Sequence, residues 1–182
     1  TFIWNGSLEF LEKQEVTLPD PNSLWDNIDG TDNSFNVSII SANNLTDEYA
    51  FNNNMSSSFT PAPTYPSTFA LWFQTNSGVI NSLTQVSESS WEFFDNDGNI
   101  LYSSGDLISN TQYRDTLTFD NGCYIFKVTD TDDDGIDFWA NSDGSGMARF
   151  REIGASWIKS FEGDFGRFIH HESIIEDAIS HS

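Results

Sequence analysis

The sequence predicts an all-β chain built around an antiparallel β-sandwich of jelly-roll or Ig-like type. Three observations carry that prediction. Apolar residues alternate with polar ones over runs of strand length, Gly, Asn, Asp, Ser and Pro fill the intervals between the runs, and no helical stripe persists for more than about two turns.

In chain order the alternating or short apolar runs fall at residues 2–4, 15–18, 35–40, 67–74, 90–94, 99–102, 115–119, 123–128, 148–153 and 156–161. Turn signals separate them: Asp97-Gly98, Asn121-Gly122, Asp134-Gly135 and Asp143-Gly144 offer the positive φ and side-chain-to-backbone bonds that tight turns need. Residues 60–66 hold three of the five prolines, which neither continue a ladder nor curl into a helix. The expected organisation is therefore a partial Ig-like segment over 1–60, a proline-rich linker over 61–66, a sandwich module over 67–173 and a flexible tail over 174–182. The first residues read as the middle of a strand, which suggests a mature fragment or an excerpt from a longer polypeptide.

A chain of 182 residues that is 37% hydrophobic and 15% aromatic has ample material for a core. Its formal charge of -21, from 28 acidic against 7 basic residues, argues against general nucleic-acid binding, which depends on neutralising phosphates, and against anionic membranes for the same reason. No apolar run approaches the length of a membrane span. Such acidity suits a soluble protein outside the cell and suits cation binding. The single cysteine, Cys123, can form no intrachain disulfide. Its strand pattern places it on the face of Ile125, where a buried, unreactive thiol is expected.

The densest chemistry lies between Asp130 and Asp143. Asp130, Asp132 and Asp134 alternate and are followed by Gly135, the first half of a calcium loop: oxygens at every second position, then a glycine for the sharp turn. Where an EF-hand would carry its bidentate Glu, this chain has Asn141, and no helical periodicity flanks the loop, so an EF-hand is not expected. Asp and Gly are also simply good turn formers. Charge density favours the metal: Asp130, Asp132, Asp133, Asp134 and Asp137 crowd eight residues with no Lys or Arg among them, and such a cluster repels itself unless a cation sits within it. The expectation is one Ca²⁺ held by Asp130, Asp132, Asp134 and Asp137, with backbone carbonyls or waters completing the shell.

Two resemblances follow from particular residues. Trp4, Gly6 and Leu8, the Leu18-Pro19 strand end, Asp47-Glu48 and Asn53-Asn54 resemble the latter half of CARDB-like Ig-type domains of bacterial surface proteins. Ser90-Trp91-Glu92, Asp97-Gly98-Asn99, Gly122-Cys123-Tyr124, Asp134-Gly135, Phe138 to Asn141 and Gly144-Ser145-Gly146 resemble a C-terminal β-sandwich module of secreted Bacteroidetes proteins, among them peptide-N-glycosidase F-related proteins and metallopeptidases. The second resemblance covers about residues 64 to 173. It implies a secreted or cell-surface protein, export by the type IX secretion machinery, and upstream domains of the same polypeptide as partners, any catalytic part lying among them.

Catalysis by this chain is not expected. His170, His171 and His181 lie in no metal-binding or nucleophile-elbow context, and solvated turn aspartates are poor acid–base pairs. The expected role is a non-catalytic accessory or structural module stabilised by calcium. The alternative is a carbohydrate-binding module that targets an upstream glycosidase or peptidase, with Trp139, Asn141 and Asp143 as ligand-binding residues and Tyr102, Tyr113 and Trp72 as further aromatic candidates. Against the alternative, Trp72, Trp91 and Trp157 also fit strand faces that form the core. Sequons at Asn5, Asn36, Asn44 and Asn54 are of the frequency chance gives in an Asn- and Ser-rich chain, and Asp115-Thr116-Leu117 looks like the short Bacteroidetes O-glycosylation motif.

Overall fold

The computed structural model describes residues 2–9, 12–18, 33–41 and 49–177. Asn44, Asp47, Glu48, Pro19, His181 and residues 178–182 of the expected tail lie outside the described residues. The chain divides into two compact units, Thr1–Pro61 and Ala62–Ser182.

In the first unit, β1 (Asn33–Ser38) and β2 (Asn54–Phe59) form an antiparallel hairpin in continuous register from Asn33↔Phe59 to Ser38↔Asn54, with a single 3-10 turn at Ala50–Asn52 ahead of β2. The runs at 2–4 and 15–18 have no regular structure, because alternation makes a strand only where a ladder partner exists, and none pairs with them among the described residues.

The second unit carries β3 (Thr64–Tyr65), β4 (Thr68–Gln74), β5 (Val79–Asn81), β6 (Val86–Ser87), β7 (Ser89–Asp95), β8 (Ile100–Ser103), β9 (Gln112–Thr118), β10 (Gly122–Asp130), β11 (Met147–Glu152), β12 (Trp157–Ser160) and β13 (Phe168–Ile175). One sheet runs β3-β13-β10-β7-β8 and the other β12-β11-β4-β9, with β5-β6 as a separate hairpin. All pairs are antiparallel except β3 with β13. The sheets pack face to face, as a β-sandwich does.

The core follows from period-two alternation. Phe69, Leu71 and Phe73 of β4 and Ala148 and Phe150 of β11 face Trp91 and Phe93 of β7 and Tyr124, Phe126 and Val128 of β10, all buried. Ring centroids of Phe93 and Phe126 lie 4.7 Å apart, those of Phe126 and Phe150 5.0 Å, and those of Phe69 and Phe150 4.9 Å, so a cluster of tilted and edge-on aromatic rings ties the sheets together. Burying each such ring contributes about 1.5–3 kcal/mol.

Four expectations are corrected here. Cys123 shares the face of Ile125 as expected, but that face is the outer one, and the thiol is exposed. Trp91 is core, whereas Trp72 and Trp157 lie on the outer face of the four-stranded sheet. The proline-rich stretch is not free linker throughout: Thr64 and Tyr65 pair with Ile174 and Ile175, and the Tyr65 ring packs edge-on against Phe150 at 5.5 Å. The expected tail likewise begins inside the sheet, since Ile175 pairs with Gly122 and is fully buried. Proline forbids a ladder bond only from its own nitrogen, so Thr64-Tyr65 between Pro63 and Pro66 still adds a two-residue edge strand. Accordingly, a fragment starting at Ala62 should keep the stability of the second unit, and one starting at Ser67 should lose about 3 kcal/mol in denaturant unfolding for want of the Tyr65 ring.

Tyr65 also meets His171, its hydroxyl 3.0 Å from Nε2. The imidazole packs against Phe161 at 5.1 Å, and burial pushes its pKa down to about 4 from 6.5; Lys159 and His170 act in the same direction and Glu172 opposes them. A depressed folded-state value means the unfolded chain binds the proton first. This contribution to stability is therefore complete above about pH 6.5 and lost as the pH falls to about 4. His171→Gln should show a shallower fall in chemical-denaturation stability across that window than the native chain, and equal slopes would contradict the assignment.

Candidate functional site

The register between β7 and β10 sets the site. It places Ser89 opposite Asp130, so the first residues of β7 meet the last residue of β10 at one end of the core. Asp130 continues the inward series Tyr124, Phe126 and Val128, and is completely buried. Its carboxylate accepts the Ser89 hydroxyl at 3.3 Å and the backbone N–H groups of Asp134 and Gly135 at 3.1 and 3.0 Å. Asp130 thus builds the turn that follows it, as an aspartate in a tight turn does. Burial raises its pKa, and the two N–H bonds oppose the rise.

That turn folds Asp134 back over Asp130. Gly135 has φ +83°, and a Cβ there would collide with the carbonyl of Gly163, so the reversal requires glycine. The Asp134 carboxylate accepts the Asn141 amide at 2.7 Å through Oδ2, while Oδ1 is buried without a hydrogen-bond partner. Asn141 in turn accepts the Asp143 N–H at 3.1 Å, and the Asp143 carbonyl takes the Ser77 N–H and hydroxyl at 2.6 and 2.9 Å.

The third carboxylate is Glu88, just ahead of β7 and only 6% exposed. Its Oε1 accepts the amide of buried Asn76 at 3.2 Å, and its carboxylate lies so close over Gly78 that any side chain there would displace it. Asn76 also donates to the Gly135 carbonyl at 3.4 Å. Burial pushes the Glu88 pKa up to about 7, with the negative charges of Asp130, Asp134 and Asp143 adding to the rise and the Asn76 bond opposing it. One oxygen from each of Glu88, Asp130 and Asp134 lies within 4.8 Å of the others.

Three carboxylates this close, with no cationic side chain paired to any of them among the described residues, are stable only if protonated or joined to a cation. The donors fit calcium: all three are hard carboxylate oxygens. The partnerless Oδ1 of Asp134 is the feature that turn formation leaves unexplained, since the Asn141 and backbone bonds already fix the loop.

Of the residues expected to hold metal, Asp130 and Asp134 enter the cluster. Asp132 and Asp137 are exposed and outside it, because Asp133 adopts φ +66° and breaks the alternation that would have aligned them. Asp133 itself pairs with Arg167 at 3.6 Å on the surface. Among the expected ligand-binding residues, Asn141 and Asp143 are tied into the loop by the bonds above, and Trp139 stands 85% exposed against Phe138. Tyr102 and Tyr113 are structural: the first donates to the Thr118 carbonyl at 2.6 Å, the second accepts the Ile108 N–H at 2.8 Å, and both pack on the core. Glu88 and Asn76 were not anticipated. Only the long-range pairing of β7 with β10, which sets Ser89 beside Asp130, brings Glu88 near the loop.

Comparison of the chain with protein-family models, with curated proteins and with solved structures finds no match in any of the three.

Gly135→Ala should destabilise the second unit by more than the about 1–2 kcal/mol that a left-handed backbone alone costs a non-glycine residue, since it adds the collision with Gly163. Gly144→Ala is the control: φ is +75° but nothing lies within 4 Å of the added methyl, so only the backbone cost should appear in urea unfolding.

Proposed function

We propose that the second unit is a non-catalytic β-sandwich module of a secreted or cell-surface protein, stabilised by one Ca²⁺ held by Glu88, Asp130 and Asp134. The observation that carries this reading is the buried, partnerless Oδ1 of Asp134, set within 4.8 Å of two further buried carboxylates. A cation there replaces like-charge repulsion with attraction and joins three segments distant in sequence: the β6–β7 junction, the end of β10 and the acidic loop. The role is structural because the cluster is roofed by its own loop, and Glu88 and Asp130 are closed to any substrate. Extracellular calcium, at millimolar levels, saturates even weak oxygen sites of this kind, which accords with a secreted setting. In the polypeptide this unit would space or stabilise upstream domains, exported as the resemblance of residues 64 to 173 implies.

Calcium at a hundredfold above its Kd should add about 2.7 kcal/mol to stability. The test is thermal melting with calcium and with chelator, on the native chain and on Asp134→Asn and Glu88→Gln. The expected result is a rise in Tm with calcium that both substitutions abolish. An unchanged Tm in the native chain would leave Asp130 and Gly135 as turn formers only and overturn the proposal. Magnesium should substitute poorly, since it demands a tighter octahedron.

A further inference from the structure

The chain has only 7 basic residues against 28 acidic ones, yet three of the seven stand together on the outer face of the sheet β12-β11-β4-β9. Arg149 and Arg151 are the outward residues of β11, and Arg114 is the outward residue of β9 opposite Trp72. Arg149 lies opposite Trp72 from the other side and Arg151 opposite Trp157, so cations and indoles alternate across the strands. The Arg114 guanidinium lies 3.7 Å from the Trp72 ring centre, Arg149 lies 5.3 Å from Trp157, and the two indoles meet edge-on at 5.1 Å. This stacking fixes the guanidiniums in place, and the N–H groups that the neighbouring acceptors do not take face a ligand.

None of the three arginines forms a salt bridge among the described residues. Arg114 donates to its neighbour Gln112 at 2.8 Å and Arg151 to the Ala155 carbonyl at 3.0 Å. The other outward positions of β4, β9 and β11 carry Thr, Ala, Gln and Met, and no carboxylate. In a protein so acidic, three unpaired cations on one face without carboxylates are not a random scatter of surface charge.

We infer that this face binds a linear acidic polysaccharide, a chain of sugars bearing carboxylates such as a polyuronate. Sugar rings offer C–H faces to exposed indole, and Trp157 is 41% exposed; their carboxylates match the guanidinium fork, and the surrounding hydroxyls and amides suit a polyhydroxylated ligand. Pleat and strand spacing set the three cations about 7 Å apart along β11 and about 10 Å apart across the sheet, a spread that a single extended polymer can span. A broad anionic surface, bilayer or duplex, would meet the remaining acidic surface of the protein and be repelled. An acidic peptide brings carboxylates but no C–H ring face to lie on the exposed Trp157 indole. The inference does not depend on the calcium site, whose residues lie elsewhere.

The experiment is titration calorimetry of the full chain with oligogalacturonate at low and high salt, beside a neutral oligosaccharide of equal length and polyglutamate. The expected result is saturable binding to oligogalacturonate that weakens with salt, with at least about tenfold weaker binding to both controls. Arg149→Gln with Arg151→Gln, and separately Arg114→Gln, should each weaken binding by about tenfold or more. Trp157→Ala should weaken it too. The cooperative melting of the same variants without added calcium should stay as in the native chain; it reports that they fold and separates failure here from failure of the cation reading. Absence of binding, undiminished binding by the folded arginine variants, or equal binding of polyglutamate would overturn the inference, the last by showing an acidic-peptide or unselective polyanion surface.

Discussion

The register of β10 against β7 is the constraint from which the rest of the second unit follows. It aligns Phe93 with Phe126 and Trp91 with Val128 to make the centre of the core, and carried to its end it sets Ser89 beside Asp130. A slip of one residue would turn every one of these side chains to the opposite face. The same pairing that buries rings therefore buries a carboxylate, and the Glu88 and Asp134 carboxylates are drawn in with it. Ionised and unpaired, three such groups would cost the fold several kcal/mol, a large fraction of what a domain of this size retains. The acidic loop is thus answerable to the core rather than an ornament on it.

The two faces of the four-stranded sheet divide the work. Its inner face, from Phe69 to Phe73 on β4 and from Ala148 to Phe150 on β11, is continuous apolar surface. Its outer face replaces that with indole and guanidinium in alternation. Trp72 sits at the centre of the outer face, half-buried between Arg114 and Arg149 and touching Trp157.

The fold class was legible because alternation is a local signal. Runs such as Cys123 to Val128 state that two faces differ, and the turns at Asp97-Gly98 and Asp134-Gly135 punctuate them. Alternation does not say which face is inside. Cys123 and Ile125 form one set, Tyr124 and Phe126 the other, and only packing against β4 and β11 decides that the larger aromatic set is buried. Trp72 was ambiguous for the same reason, its neighbours Leu71 and Phe73 being apolar as well. The strand Phe168–Ile175 was obscured by its two histidines and Glu172, and it exists because β10 and β3 offer it partners on both sides. At the candidate site, the position of the acidic loop was readable from composition, and Asp130 and Asp134 with it. Glu88 and Asn76 reach the cluster through pairings 42 or more residues apart in the chain, as Glu88 and Asp130 are, or through a side-chain bond such as Asn76 to Gly135, which no local pattern records.

The cation that we propose Glu88, Asp130 and Asp134 share would bind all three at once. A crystal structure grown in millimolar calcium tests it most directly, with the anomalous signal of the ion to identify it. A single calcium peak is expected about 2.3–2.6 Å from an oxygen of each of the three residues, including Oδ1 of Asp134. An ion seated instead among the exposed carboxylates of Asp132 and Asp137, or a dry cluster with its carboxyl groups hydrogen-bonded to one another as acids, would contradict it.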